Sequence, residues 1–188
     1  MGDRTRTALL TVPQLHSTFT DALASVLAAG GDPANTGSKP LDLTCGPPLP
    51  RQLRVYLFNA TDHPSERKSG DYRIQMRLPG QRAGERGQLD VPAQGLLLLA
   101  GYVSEFNVFV LWDASAHEQF PFSKGVQVGA STVHQAAITG LMEQGRTIRS
   151  AGRQEVVVAA RHDHLVAAIQ RRDELTREIL LRDSRESQ

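Results

Sequence analysis

A single cysteine, Cys45, leaves the chain no partner for an intramolecular disulfide and excludes a zinc site built on several thiolates. Such usage suits a reducing, cytoplasmic setting. Long apolar runs are missing as well. The longest, "GLLLLAGYV", falls far short of the ~20 residues that a membrane helix requires. The N-terminus "MGDRTRTALL" lacks the apolar centre of a secretory signal, so neither export nor a membrane partner is expected. There is no Walker-type phosphate loop, no dinucleotide fingerprint and no internal repeat, and "GQRAGERG" lacks the strand-to-helix context such motifs need. No cofactor is therefore implied.

What the chain does have is a hydrophobic share of 40%, enough for a globular core, and a net charge of +1 that conceals an uneven distribution. Residues 51–86 carry eight Lys and Arg against four acids, and residues 143–172 six Arg against Glu143, Glu155 and Asp163. Residues 87–142 hold only Lys124 against Asp90, Glu105, Asp113 and Glu118. Positive charge thus sits in two blocks. It is densest in "GDYRIQMRLPGQRAGERG", where Arg73, Arg77, Arg82 and Arg86 follow one another.

Periodicity gives the organisation. Leu15, Phe19, Leu23 and Val26 recur at helical spacing from Pro13 to Ala29, with Gly30 and Gly31 as the stop. "GDPANTGSKP" and "CGPPLP" are turn and connector chemistry. "RQLRVYLFNAT" reads as a strand. "DYRIQMRL" alternates, with Tyr72, Ile74, Met76 and Leu78 on one face and Asp71, Arg73, Gln75 and Arg77 on the other. Pro79 and Gly80 suit a type II turn. "GLLLLAGYV" and "NVFVLWDA" lie too close for a parallel crossover and form an antiparallel hairpin. "ASTVHQAAITGLMEQG" is expected to be a helix opened by Ser131 or Thr132, "QEVVVAA" a buried strand, and "DHLVAAIQRRDELTREILLRD" a helix capped by Asp163. The expected fold is a single α+β domain, a mostly antiparallel sheet flanked by helices. It divides into a helical segment at about 13–30, a core at about 50–172 and a charged helical tail at 173–188.

Four chemistries are weighed for this chain. "ERK" at Glu66 to Lys68, preceded by Asp62, has the form of a PD-(D/E)XK metal-dependent nuclease, but it sits in the polar loop "TDHPSERKSGD" instead of on adjoining hydrophobic strands. "HDH" at 162–164 offers two imidazoles without a third ligand nearby, and reads more simply as a solvated helix start. Cys45 as a nucleophile would need an electropositive, accessible setting. Binding of an anion is the fourth. "HEQFPFSKGVQV" sharpens it, because Phe120, Pro121, Ser123 and Lys124 combine apolar surface with a hydroxyl and an ammonium, the composition of a pocket rim. The same phenylalanines would also serve as core plugs, and the loop carrying Gln81, Arg82 and Arg86 would also serve as a solvated loop. A protein-interaction face rich in arginine fits the composition too.

The ordered set "GDYRIQMRLPGQ", "LLLLAGYVSEFNVFVLWDA", "HEQFPFSKGVQV", "GLMEQGR" and "EVVVAAR" resembles the DNA sulfur-binding domain of phosphorothioate-dependent, McrA-like type IV restriction endonucleases, from about residue 50 to 170. The resemblance implies a cytoplasmic defence module that binds double-stranded DNA in which sulfur replaces a non-bridging phosphate oxygen. It implies no catalytic residue, since cutting in that family belongs to a separate, fused His-Asn-His nuclease domain. No such motif follows residue 172, so an excised domain or a stand-alone reader is expected. Arg73 matches the family's arginine at the phosphorothioate and Tyr72 the start of the pocket wall. Phe120 and Pro121 match an aromatic–proline pair lining the sulfur cavity, with Phe120 where a tyrosine occurs. Lys124 falls where a small apolar residue can stand, and Arg146 matches a further basic contact. Arg67 and Lys68 are expected on phosphates. Gln81, Arg82 and Arg86 are expected in the groove.

Overall fold

The computed structural model describes residues 9–28, 37–62, 70–148 and 152–186, with side chains to residue 182. In chain order its elements are α1 (Val12–Ala22), β1 (Leu41–Thr44), β2 (Gln52–Asn59), β3 (Thr61–Asp62), β4 (Asp71–Met76) and β5 (Arg86–Gln88). There follow β6 (Leu96–Val103), β7 (Val108–Trp112), β8 (Gln119–Pro121), β9 (Lys124–Gly129), α2 (Ala130–Thr139), β10 (Leu141–Ile148), β11 (Arg153–Arg161) and α3 (Leu165–Glu186). The fold is α+β, and the sheet is mostly antiparallel as expected. In the six-stranded sheet β1-β2-β6-β7-β11-β10 only β2 and β6 run parallel.

The central strands β6, β7 and β11 are buried on both faces, which is why their sequences are nearly unbroken apolar runs. One face packs against α1 and α3 through Leu15, Phe19, Phe109, Leu165 and Ile169. The other packs against α2 and a three-stranded sheet, β3-β4-β9, through Ile74, Met76, Trp112, Val126 and Val133. The two sheets come close at Gly101, where a Cβ would lie 2.6 Å from Ile74 Cγ2 and 2.9 Å from Trp112 Cζ3. Trp112 Nε1 then donates to the Gln127 carbonyl at 3.0 Å, tying β9 to the main sheet.

Several local expectations hold. Tyr72, Ile74 and Met76 face inward while Arg73 and Gln75 face out, and β6 and β7 form the hairpin. Gln81 N donates to Leu78 O across Pro79 and Gly80, with Gly80 at φ 76°.

Other expectations need correction. The first helix stops at Ala22, because Leu23 turns inward and the chain beyond joins β1, with Ala28 N donating to Thr44 O at 3.0 Å. A capping box between Thr11 and Gln14 opens it. The expected helix through "GLMEQG" ends at Thr139. Gly140 adopts φ 95° there, and Leu141–Ile148 pairs with β11 along its whole length, so cross-strand pairing overrides local helix propensity. Gly129, not Ser131 or Thr132, occupies the cap of α2. Nor does Asp163 cap α3. Its carboxylate is held well below the usual range by hydrogen bonds from Arg161 and His164.

Because Gly101 lies where two layers meet, Gly101→Ala is expected to cost about 1–3 kcal/mol by overpacking. Gly145→Ala, with nothing within 4 Å of the added carbon, should change stability little. Urea denaturation of the two variants checks the contrast.

Candidate anion-binding site

The outer face of the β4–β9 pair is where the positive charge emerges. Asp71, Arg73 and Gln75 stand opposite Gly129, Gln127 and Gly125, and period-two alternation puts them all on the outward side. Without a side chain at Gly125, the Arg73 stem lies across the strand: a Cβ there would come within 2.9 Å of Arg73 Cδ. A bare strand position that lets another group approach closely is a recognised use of glycine.

Lys124, the first residue of β9, leans inward instead, opposite Met76. Its Nζ lies 2.9 Å from His117 Nδ1, and His117 Nε2 lies 2.9 Å from Glu155 Oε1. An ammonium only donates, so Nδ1 accepts and Nε2–H donates to the carboxylate. Glu155 Oε1 also accepts from Asp113 N at 3.1 Å, and Oε2 pairs with Arg146 Nε at 3.0 Å. His117 and Glu155 are each 1% exposed. Arg146 further donates through Nη1 to the Gln127 carbonyl. Burial pushes the Lys124 ammonium below its ordinary pKa, and the positive Arg146 and Arg86 push the same way against the pull of Glu155. A cleft of about 600 Å³ opens over this network, lined by Lys124, Gly125, Gln127, Gln144, Arg146 and Thr147 among others.

Arg86 arrives from β5, which pairs with β8 so that Arg86 stands opposite Pro121 and Gly87 opposite Phe120. The ribbon's two sides differ. Phe120 is wholly buried beneath it, so close that a Cβ on Gly87 would sit 2.6 Å from its ring, whereas Pro121 is exposed. Ser123 turns the chain from β8 into β9 at φ 63°.

The structure therefore places Arg86 and Arg146 within electrostatic reach of Lys124, the Arg73 stem across adjacent Gly125, and Pro121 opposite Arg86. Tyr72 points the other way, into the core against Phe106 and His134. Phe120 buttresses the ribbon from within. Gln81 is nearly buried, its amide accepting from Leu78 N at 3.1 Å and donating to Glu85 O at 3.1 Å, so it shapes the loop. Arg82 is exposed on that loop, away from Lys124. Arg67 and Lys68, with Glu66, lie outside the described residues.

The two basic blocks prove unlike. In the second, Arg153 pairs with Asp113, Arg161 with Asp163 and Arg171 with Glu143, while Arg172 is buried with Nη1 on the Val156 carbonyl. Its charge is largely spent on the protein's own acids. His164 likewise pairs with Asp163 at 3.0 Å, and Cys45 is buried, its thiol pushed up by desolvation. No group of three His, Cys, Asp or Glu able to hold a metal occurs among the described residues. No helix there is long and apolar enough to cross a membrane. His117, Glu155, Asp113 and Gln127 were invisible as site residues in the sequence. The one available signal was a histidine opening "HEQFPFSK" after a fully apolar strand.

The model of the methylase-associated X1 family matches residues 51–169, and the chain belongs to that family. The match spans β2 to the start of α3 and takes in every residue gathered at the cleft. By its description the family is a restriction–modification-associated module, compatible with DNA targeting. No curated protein and no solved structure matches the chain.

Removing Glu155 takes the shared acceptor from His117, Arg146 and the Asp113 N–H in a buried site, and with it the anchor of the imidazole that receives Lys124. Glu155→Ala is expected to cost about 3 kcal/mol, and Glu155→Gln, which retains an acceptor, less. Equal stability of both variants and wild type in thermal denaturation would contradict this role.

Proposed function

We propose that this member of the methylase-associated X1 family is a DNA-binding module that holds a duplex at one backbone phosphate, and that the phosphate it selects is a phosphorothioate. The observation that carries the reading is the grouping of Arg86 and Arg146 about Lys124, with the Arg73 stem laid across neighbouring Gly125 and exposed Pro121 opposite Arg86. Asp71 is the one carboxylate among the described residues lining the cleft, and Glu155 lies buried beneath it. In this reading the module is not itself an enzyme, and any nuclease chemistry belongs to a separate, fused domain.

Sulfur is larger, more polarisable and less hydrated than oxygen, while the diester keeps its charge. A selective site therefore needs apolar surface with cations at its edge. Pro121 supplies exposed apolar surface, backed from inside by Phe120, and the Arg73 guanidinium supplies charge with directed donors. Ser123 and Lys124 close the turn beside it. An ordinary phosphate would press a hydrated oxygen against the proline ring and lose water hydrogen bonds without replacement. Arg146 and Arg86 would grip neighbouring phosphates, which adds affinity and salt dependence but no sequence information. Arg82, on the exposed loop, is the candidate for contact with a base edge, with Gln81 holding that loop in shape.

A gel-shift comparison of phosphorothioate and unmodified duplexes of one sequence, with magnesium present and strand integrity checked, tests the reading. The wild type should prefer the sulfur duplex, favour one diastereomer and leave both strands intact. Arg73→Ala should remove most binding with the fold intact, and lysine should rescue it only in part. Gly125→Ala, which displaces the Arg73 stem, should weaken binding in the same direction. Pro121→Ala should narrow the sulfur-to-oxygen ratio roughly fivefold, the equivalent of about 1 kcal/mol of lost apolar contact. Equal affinity for both duplexes would overturn the sulfur assignment, and normal binding by folded Arg73→Ala would overturn the site.

A further inference from the structure

A second group of cations stands at the other end of β4. Lys39, Arg77 and Arg82 line a cleft of about 650 Å³, with Leu78, Pro79 and Gln81 completing much of its wall. No carboxylate lines it among the described residues. Lys39 Nζ lies 3.7 Å above the centre of the Phe58 ring, and the Arg77 guanidinium lies 4.8 Å from that of Phe122. An aromatic face attracts a cation without neutralising it, so these groups are held in place with their charge still unbalanced. That sets them apart from Arg54, Arg153, Arg161 and Arg171, each fixed by a carboxylate.

We infer that this cleft is a second phosphate site, in which Lys39 and Arg77 take a backbone phosphodiester of the DNA strand opposite the one held at Arg73, with Arg82 at its rim left to the groove. The inference rests on the duplex-binding reading above. Arg73, Gln75 and Arg77 follow one another on the outward side of β4 and its extension. At strand rise, the four residues from Arg73 to Arg77 span about 13 Å. The major groove of B-DNA is about 12 Å wide, so two long cationic side chains rooted this far apart can reach phosphates on both of its edges. The loop at 79–86 lies in sequence between Arg77 and the ribbon of Arg86 and Pro121, and its tip is exposed at Arg82 and Gly84. A duplex bridging the two sites would receive that loop in its groove.

Lys39 gives the site a signature of its own. Burial lowers its pKa to about 8, and the other charged groups lining the cleft, Arg77 and Arg82, are both cations. A phosphate beside it favours the ammonium. Below the free-state pKa, Lys39 is already charged and binding carries no proton. Above it, binding takes up a proton, and affinity falls as pH rises, by at most tenfold per unit.

The test measures duplex affinity of the whole chain from pH 7 to 9.5 for wild type, Lys39→Arg and Lys39→Met. Lys39→Arg should match wild type at pH 7 and exceed it increasingly above pH 8, because a guanidinium stays charged. Any contribution from Lys124 is common to both proteins and cancels in the ratio. Lys39→Met keeps an apolar stem on Phe58, and should bind more weakly at pH 7 with a salt slope smaller by about one unit. Replacing single phosphates of the complementary strand by neutral methylphosphonates should locate one position whose loss weakens wild type more than Lys39→Met. Identical pH profiles for wild type and Lys39→Arg, or no such position on the complementary strand, would overturn the second site while leaving the Arg73 site standing. Competition by inorganic phosphate well below the concentrations at which salt screens would reassign the cleft to a free anion. Failure of wild type to bind any duplex would overturn both readings.

Discussion

Glu155 is the charge around which the working end of the molecule is arranged. It sits on β11 in the buried interior, where an unpaired carboxylate would be prohibitively costly, and donors from several elements are turned toward it. His117 comes from the turn after β7, Lys124 from β9 through His117, Arg146 from its register partner position on β10, and Asp113 supplies its backbone N–H. One buried anion thereby fixes the orientation of two cations that reach the surface. Lys124 and Arg146 are pre-organised by this pairing, so little side-chain freedom remains to be lost when a ligand arrives.

The same molecule uses a second means of holding cations. Across much of the surface, arginines are fixed by carboxylates, which leaves them structurally useful and electrostatically quiet. Beside β4, Lys39 and Arg77 are fixed by phenylalanine rings. The distinction bears directly on function, because a field that attracts an anion requires charge that the protein has not already cancelled. It also explains why net charge is a poor guide here. The chain carries +1, yet its positive groups are held in different ways: Arg153, Arg161 and Arg171 rest on carboxylates, whereas Lys39 and Arg77 rest on aromatic rings.

The layers explain how sites so far apart in sequence come together. β4 and β9 are separated by the whole β6–β7 hairpin, yet they pair because both present apolar alternation to the same face of the main sheet. Close approach at Gly101 and the bond from Trp112 to the Gln127 carbonyl set the height of that small sheet. Gln127 in turn receives Arg146 on the same carbonyl, so the packing of the core and the aim of a surface arginine share one oxygen.

The sequence by itself determined the periodic elements: the alternating strand of Tyr72, Ile74 and Met76, the buried hairpin, the strand "QEVVVAA", the final helix and the outward position of Arg73. These follow from spacing, which a one-dimensional pattern carries. It determined too that basic charge would cluster near 70–87. Only the tertiary structure decided which basic side chains are spent on the protein's own acids, because that depends on partners tens of residues away, as Arg153 on Asp113 and Arg171 on Glu143. It decided that Leu141–Ile148 is a strand, since β11 offers a full ladder that local propensity cannot anticipate. It also divided the "QFPF" segment, turning Phe120 into the core and Pro121 to solvent. Alternation says that neighbours in a strand face opposite ways, but only the packing of β8 over Gly87 says which way is in.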